Sequence, residues 1–297
     1  MAGEASGERC VICGAERAED AECARVRSNV RRFRNETFAV WRCGSCRSLH
    51  AQDEVDLDHY YAGYPVHIAD LDWKLNVAYG GMLARLRAAG LQKDHTILDY
   101  GCGTGLLVSY LRAQGYAHTS GWDRYGEEFE DPAALQTRYD CVISQDVIEH
   151  VDDPQANLRE LDGLVKPGGF VSIGTPDAEV LDLADPENYV HALHLPFHRH
   201  ILSSDALKRA GEALGWEVER YYDTMYNNTL VPTMNPRFVL HYVRSHDDVF
   251  DLVAEPIRVG AKLFSPATPF FAFFGYFFDR HTDIQVIFRK RAAGEAA

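Results

Sequence analysis

The chain has 297 residues, of which 46% are hydrophobic and 25% are charged. This length and composition suit a globular protein with one sizeable domain and a small additional module. With a formal net charge of -14, the chain lacks the excess of basic residues that is typical of a general nucleic-acid binder. Residues 1–9 are too polar for a secretory signal, and no stretch reaches the roughly 18 uninterrupted apolar residues of a membrane span. We therefore expect a cytoplasmic protein.

Seven cysteines in a chain without an export signal indicate metal ligands or reduced thiols rather than disulfides. Four of them form two Cys-x-x-Cys pairs, which are Cys10, Cys13, Cys43 and Cys46. Each pair can place two thiolates on one side of a tight turn, and together they complete a tetrahedral site with no open position. We predict a structural zinc ion in a ribbon over residues 1–55, with a hairpin leading into the second pair. Cys23, between the pairs, is a competing ligand.

A nucleotide-binding pattern follows a helical connector over residues 56–93, whose helix is predicted from about 71 to 89. A predicted buried strand ends at Asp99, and the glycine-rich loop 101–105 opens the next helix. Glycines let the backbone approach a ligand at the carboxyl edge of a sheet. Asp123 ends the second predicted strand, where an acidic side chain can accept hydrogen bonds from ribose hydroxyls.

Three more segments follow in order: a predicted strand over 139–144, the run Gln-Asp-Val-Ile-Glu-His-Val at 145–151, and a Lys-Pro-Gly-Gly turn at 166–169 leading into a strand over 170–176. This order resembles the class I S-adenosylmethionine (SAM)-dependent methyltransferases, and among them the branch of the ubiquinone-biosynthesis O-methyltransferases. The resemblance covers about residues 96–223 and resumes at 282–289. It implies an α/β fold, with a Rossmann-like sheet of seven strands and a core over residues 94–225.

The resemblance also implies a set of cofactor-binding residues. They are Asp99, Gly101, Cys102, Gly103, Gly105, Asp123, Gln145 and Asp146. Asp123 would hold the ribose hydroxyls, whereas Gln145 and Asp146 would face the methionine portion of SAM and the reaction cavity. Cys102 and Cys141 are also interpreted as packing residues. Residues 129–131 are candidates for adenine contacts, although the segment between Asp123 and residue 140 is short for the usual third strand and helix.

Two clusters are candidates for catalysis. The first is Asp146, Glu149 and His150, which share one face if this segment begins a helix. The second is a group of four histidines in the loop over residues 188–204, which are His191, His194, His198 and His200. Together they resemble the small-RNA 2′-O-methyltransferases, which implies Mg²⁺ held by Asp146, Glu149, His150 and His198. The alternatives are that Glu149 and His150 orient the loop without metal, or that one histidine, His198 first and His200 second, is the general base.

The last two predicted strands, over residues 217–223 and 283–289, are separated by a long insert instead of a short turn. We predict that residues 226–281 form a helical cap that encloses an apolar or aromatic acceptor, with an aromatic run over residues 264–278. A homodimer face and plain core filling are the alternatives for this insert. The last strand and the tail occupy residues 282–297.

These features predict a SAM-dependent methyltransferase acting on a small molecule, with oxygen as the favoured acceptor atom and secondary-metabolite or polysaccharide biosynthesis as the setting. The alternatives are C- or N-methyl transfer to a sugar or metabolite, and a non-catalytic SAM-binding scaffold. RNA methylation is supported only by the ribbon and a local basic patch, which we interpret as a solvated face. The patch comprises Arg25, Arg27, Arg31, Arg32 and Arg34.

Overall fold

A computed structural model describes residues 9–64, 71–126, 128–255 and 265–292. The strands are β1 (Cys23–Arg27), β2 (Thr37–Arg42), β3 (Leu49–Ala51), β4 (Ile97–Tyr100), β5 (Thr119–Trp122), β6 (Tyr139–Gln145), β7 (Val165–Pro176), β8 (His200–Ile201), β9 (Trp216–Tyr222) and β10 (Asp283–Lys290). The α-helices are α1 (Leu57–Tyr61), α2 (Trp73–Ala88), α3 (Leu106–Ala113), α4 (Pro154–Leu164), α5 (Val190–Leu193), α6 (Ser204–Ala213), α7 (Pro236–Ser245) and α8 (Ala267–Phe274).

The larger sheet has the strand order β5-β4-β6-β7-β10-β9. Strands β5, β4, β6 and β7 pair in parallel, whereas β10 runs antiparallel to both β7 and β9. Successive strand residues point to opposite faces, so Ile97 of β4 packs with α2 and α3, and Leu98 packs with α4 and α6. Because helices cover both faces, β4 is buried at all four positions. This sheet is the Rossmann-like α/β architecture predicted from the sequence.

The described residues contain six strands of this sheet where seven were predicted. The third strand would fall between Asp123 and Tyr139, and the described part of that segment contains a 3-10 turn, Pro132–Gln136. That segment is too short for a strand and its crossover helix. Strand β7 begins at Val165, five residues before its predicted start, and so includes the predicted Lys-Pro-Gly-Gly turn. The other strands of this sheet, and helices α2, α3 and α6, lie within about two residues of their predicted bounds.

A second sheet joins the amino-terminal module to the larger domain. Its strand order is β1-β2-β3-β8, with every pair antiparallel. Strand β8 comes from the histidine-rich loop, so the module predicted over residues 1–55 takes one strand from elsewhere in the chain. Cys10 and Trp41 of the module belong to the same buried cluster as Leu202 and Leu207. The module therefore shares its core with the larger domain.

Two arginines of the basic patch, Arg27 and Arg31, contact the insert, whereas Arg25, Arg32 and Arg34 are exposed, in agreement with the solvated face predicted from the sequence. Arg27 pairs with Asp248, and Arg31 pairs with Glu255 and lies 3.9 Å from Asp251. The backbone amide of Phe250 also donates to the carbonyl of Asn29, at 2.7 Å. These contacts give Arg27 and Arg31 a structural role between the amino-terminal module and the insert.

The insert is helical, as predicted, but much of its aromatic surface is exposed. Helix α8 and the following turn expose five phenylalanine rings, which are Phe270, Phe273, Phe274, Phe277 and Phe278. Core filling is therefore wrong for these rings, and Phe264, the first residue of the predicted aromatic run, lies outside the described residues. Among the described residues, no helix is both long and apolar enough to cross a membrane.

Candidate active site

The glycine-rich loop joins β4 to α3 at the carboxyl edge of the sheet. Gly101, Gly103 and Gly105 all have positive φ angles, of 79°, 53° and 74°. A β-carbon at Gly101 would lie 2.3 Å from Val147, and one at Gly105 would lie 2.3 Å from the ring of Phe129. Side chains are thus excluded at both positions by backbone conformation and by space. At Gly103 no described atom lies within 4 Å of such a β-carbon, so the backbone there can be approached closely.

Asp123 braces this loop from the tip of β5. Its Oδ2 accepts a hydrogen bond from the amide of Gly103 at 2.8 Å, and its Oδ1 accepts one from the amide of Tyr125 at 2.7 Å. Each carboxylate oxygen keeps a further lone pair, so Asp123 can still accept hydrogen bonds from ribose hydroxyls. The ring of Phe129 fills the space over Gly105 and Gly121, which places it against the loop rather than free for an adenine.

Asp99 lies beneath the loop with only 4% of its surface exposed. Burial, together with repulsion from Asp123, raises the pKa of its carboxyl group to about 7. A buried carboxylate is stabilised by a cationic partner, so this group suits a ligand with positive charge. Cys102 packs its sulfur against Gly121, and Cys141 is fully buried in β6, as the packing interpretation of both expected.

The segment after β6 forms a turn, so the condition under which Asp146, Glu149 and His150 would share one helix face is not met. Helix α4 begins only at Pro154, with Asp153 as its N-cap. Asp146 has a φ of 55°, and its Oδ1 accepts a hydrogen bond from Nε2 of Gln145 at 3.0 Å. The side chain of Gln145 lies across Gly174 of β7, where a β-carbon would clash with it. Gln145 and Asp146 therefore lie together at the carboxyl edge, beside the glycine loop.

The turn brings Glu149 and His150 together with His198 from the histidine-rich loop. One potential ligand atom of each lies within 4.8 Å of the others, and Asp146 is not a member of this group. Glu149 is fully buried, and within the described part of the chain neither of its carboxylate oxygens has a hydrogen-bond partner. Burial and repulsion from Asp146 raise the pKa of Glu149 well above its ordinary value. An unpaired buried carboxylate is costly unless it has a cationic partner.

The two histidines of this group have the same kind of hydrogen-bond partner, since each Nδ1 atom faces a backbone carbonyl. Nδ1 of His150 lies 3.2 Å from the carbonyl of Phe197, and Nδ1 of His198 lies 2.9 Å from the carbonyl of Ala192. A carbonyl can only accept, so each Nδ1 carries the proton and each Nε2 keeps a lone pair. Burial lowers the pKa of His150 to about 4 and that of His198 well below its ordinary value. Both rings are therefore neutral and able to bind a cation or accept a proton.

The other three histidines of the loop are engaged elsewhere. His200, the second candidate base, has its Nδ1 atom 3.0 Å from Nδ1 of His50, so it faces the amino-terminal module. That position does not suit the base role predicted for it. His194 contacts Oδ1 of Asn29 at 2.7 Å through Nδ1, and His191 contacts Nδ2 of the same side chain at 3.1 Å. Nε2 of His191 also lies 2.9 Å from Asp248 of the insert.

Aromatic residues missed by the sequence analysis complete the site. The ring of Tyr61 stacks on Tyr125, which follows β5 just after Asp123, at 5.7 Å, and its hydroxyl lies 3.1 Å from Nδ1 of His150. Tyr64 packs against Phe197 at 4.9 Å, next to the histidine group. The run Asp-His-Tyr-Tyr-Ala-Gly-Tyr at residues 58–64 was the available signal, because three tyrosines in so short a segment are unusual for a plain connector.

The four paired cysteines converge as predicted. The sulfur atoms of Cys10 and Cys46 are 3.5 Å apart, and those of Cys13 and Cys43 are 3.6 Å apart. These distances approach the edge of about 3.8 Å in a tetrahedron with Zn–S bonds of about 2.3 Å. Cys23 lies outside the group, and its sulfur contacts Arg17 and the carbonyl of Ala21. The donor set therefore fits one zinc ion.

A family model of the methyltransferase domain matches residues 75–221. The ubiquinone biosynthesis O-methyltransferase of Aeromonas salmonicida is 31% identical, in an alignment that covers 40% of this chain and 61% of that protein. The protein of the same name from Serratia proteamaculans is 33% identical, over 30% of this chain and 46% of that protein. The chain thus spans about half the length of these curated relatives.

The chain contains a class I SAM-dependent methyltransferase domain. Among solved structures, an S-adenosylmethionine dependent methyltransferase from Mesorhizobium loti is 13% identical with a TM-score of 0.40, covering 70% of this chain and 97% of that one. The matched residues contain strands β4, β5, β6 and β7 and nearly all of β9, whereas β10 lies outside them. They also contain the glycine-rich loop after β4, which we name the cofactor loop. The amino-terminal four-cysteine module and the insert before β10 are additions that lie outside the matched residues.

We expect Gly105→Ala to weaken SAM binding at least tenfold and to lower the free energy of unfolding by about 1–3 kcal/mol. Gly105 is the N-cap of α3 at a φ of 74°, and the added methyl group would displace the ring of Phe129. Gly163→Ala is the matched control, because Gly163 lies within α4 with no described atom within 4 Å of its β-carbon position. Calorimetric titration and denaturant unfolding measure both effects. Equal affinities in the two variants would contradict the assignment of this loop.

Proposed function

We propose that the chain transfers a methyl group from SAM to a hydroxyl oxygen of a small molecule, with the help of a divalent cation. The observation that carries the proposal is the group of Glu149, His150 and His198, which lies at the same sheet edge as the cofactor loop. The name shared by the two relatives, ubiquinone biosynthesis O-methyltransferase, supports oxygen as the acceptor atom. The acceptor belongs to small molecules such as those of secondary-metabolite or polysaccharide biosynthesis.

The cofactor loop and the strand tips would hold the cofactor. Asp123 accepts from the ribose hydroxyls, the backbone at Gly103 approaches the ligand, and Asp99 provides negative charge beneath the methionine portion. When bound, SAM supplies a methyl group already activated on a sulfonium sulfur. The remaining task of the protein is to hold the acceptor oxygen in line with that methyl group and to exclude water. Tyr61 and Tyr64 would form a wall of that cavity.

An acceptor hydroxyl is a weak nucleophile until its proton is removed. Glu149 and the Nε2 atoms of His150 and His198 would hold a divalent cation, which lowers the pKa of a coordinated hydroxyl. Three protein ligands leave further coordination positions for the acceptor. The sequence pattern pointed to Mg²⁺ with Asp146 as a fourth ligand. Two imidazole nitrogens and one carboxylate fit a transition-metal ion better than Mg²⁺, which prefers oxygen ligands.

Calorimetric titration of the purified protein with SAM and with S-adenosylhomocysteine tests the cofactor assignment. We expect micromolar binding of both at one site per chain. Methyl transfer is then measured on a panel of catechols, phenols, sugars and amines, with and without added Mn²⁺, and the methylated atom is identified by mass spectrometry. Methylation of carbon or nitrogen alone would overturn the acceptor atom, and full activity without any divalent cation would overturn the metal. Cofactor binding without transfer to any acceptor would indicate a SAM-binding scaffold.

We expect SAM to bind about tenfold more tightly at pH 7.5 than at pH 5.5. Asp99, whose pKa is raised to about 7, is mostly neutral at the lower pH and mostly ionised at the higher one. Only the ionised form attracts the cationic sulfonium and amino groups, so affinity rises as the pH increases through 7. Isothermal calorimetry at both pH values measures the change, with Asp99→Asn as the control. If the pH dependence of SAM affinity persists in Asp99→Asn, a group other than Asp99 causes it.

A further inference from the structure

Two buried histidines connect the four-cysteine site to the methyltransferase domain. Nε2 of His50 lies 3.2 Å from the sulfur of Cys10, and its Nδ1 lies 3.0 Å from Nδ1 of His200. His50 is 1% exposed and His200 is 5% exposed. His50 comes from β3 and His200 from β8, and the two residues are paired in the antiparallel register of the smaller sheet. The contact therefore joins the module to the histidine-rich loop through side chains as well as through the backbone.

The positions of the protons in this contact follow from the partners. A zinc-bound thiolate only accepts hydrogen bonds. Nε2 of His50 therefore carries a hydrogen and donates a hydrogen bond to the sulfur of Cys10. Both rings are buried, which disfavours the charged form of an imidazole. Nδ1 of His50 is then an acceptor, and it receives the hydrogen bond from Nδ1–H of His200. Every link thus has one donor and one acceptor.

The connection continues to the turn that carries Glu149. The backbone amides of Arg199 and His200 both donate to the carbonyl of Glu149, at 2.7 and 3.2 Å. The amide of Ala51 in β3 donates to the carbonyl of Arg199 at 2.9 Å, which fixes the same stretch from the other side. A path of hydrogen bonds therefore connects Cys10 to the backbone of Glu149. It passes through the side chain of His50 and then through the side chain and the backbone amide of His200.

We propose that His50 and His200 are positioning residues that couple the zinc-loaded four-cysteine site to the cation-binding group of Glu149, His150 and His198. The proposal rests on the proposed function, because it gives the amino-terminal module a task in methyl transfer. A zinc ion fixes Cys10, Cys10 fixes the ring of His50, and that ring holds His200 and the adjoining loop against Glu149. His198 lies two residues before His200 on this loop, so its placement depends on the same contact.

The test compares His50→Phe with the wild-type chain, both loaded with zinc and S-adenosylhomocysteine. Phenylalanine keeps a ring beside Trp41, which lies 4.7 Å from the imidazole, and it removes both hydrogen bonds. Hydrogen–deuterium exchange measures the amides of Arg199 and His200, and electron paramagnetic resonance measures binding of Mn²⁺. We expect exchange to become about tenfold faster and Mn²⁺ affinity to fall about tenfold, with zinc content and S-adenosylhomocysteine affinity unchanged. If the amide exchange rates and the Mn²⁺ affinity of His50→Phe equal those of the wild-type chain, the proposal is overturned.

Two further substitutions separate coupling from general damage. His200→Phe breaks the same contact without touching Cys10, so it decides the question if His50→Phe fails to fold or loses zinc. His50→Asn places an amide oxygen near the position of Nδ1, and we expect it to restore part of the protection at His200. His118→Phe is the matched control at an exposed position before β5, and it should leave both measurements unchanged. If the wild-type chain binds no Mn²⁺, the proposed cation site fails, while the exchange measurement still decides whether the histidines couple the two regions.

Discussion

Replacing Glu149 with glutamine is expected to reduce methyl transfer about a thousandfold while leaving cofactor affinity within about twofold of wild type. Glu149 carries the only carboxylate of the described group with His150 and His198, and an amide oxygen cannot supply its negative charge to a cation. The cofactor loop lies on neighbouring elements and does not contact this side chain through any described hydrogen bond. Steady-state kinetics at saturating Mn²⁺, with calorimetric titration of S-adenosylhomocysteine, measure the two quantities.

The stability of the same variant distinguishes a functional role from a structural one. In metal-free protein, Glu149→Gln should keep or raise the melting temperature, because it removes a buried carboxyl group whose oxygens have no described hydrogen-bond partner. A glutamate that only orients the loop would instead lose stability when substituted. Glu179→Gln is the control, since Glu179 is exposed near the same edge of the sheet. A wild-type rate in Glu149→Gln would refute the cation-assisted mechanism.

Replacing Cys46 with serine is expected to remove zinc from the protein and to lower its melting temperature by more than about 10 °C. Binding energy at a structural zinc site is folding energy, and Cys46 is buried within the four-sulfur group. The loss should extend beyond the module, because Cys46 shares a buried cluster with Leu202 and Leu207 of the methyltransferase domain. Its backbone carbonyl also accepts a hydrogen bond from the hydroxyl of Ser203, at 2.6 Å. Inductively coupled plasma mass spectrometry measures the number of zinc ions per chain, and differential scanning calorimetry measures the melting temperature.

Cys23→Ser is the matched control for this substitution. Cys23 is an exposed cysteine of the same module that lies outside the four-sulfur group. We expect it to retain one zinc ion per chain and to change the melting temperature by less than about 2 °C. Full zinc content in Cys46→Ser, or loss of zinc in Cys23→Ser, would show that the ligand set is wrong.

Local patterns were sufficient for most of the architecture. The buried strands β4 and β6 are short apolar runs in the sequence, and the positive φ angles at Gly101, Gly103 and Gly105 agree with the glycines that predicted a close-approach loop. The two Cys-x-x-Cys pairs indicated one shared site, because each pair is a local turn whose geometry depends on few residues. Residues 146–150 form a turn and not the helix start that was considered for them, because the spacing of acidic and apolar residues alone does not reveal where the chain leaves β6.

The chemistry of the histidine-rich loop depends on residues far away in the sequence. From the pattern alone His198 and His200 were both candidates for a base, because both are imidazoles in the same loop. Folding gives them different partners: His198 faces Glu149 and His150, whereas His200 bonds to His50 of the amino-terminal module. The residue type determines what a side chain can donate, accept or bind. Which of these it does depends on the long-range strand pairing that places β8 beside β3, and local sequence does not encode that contact.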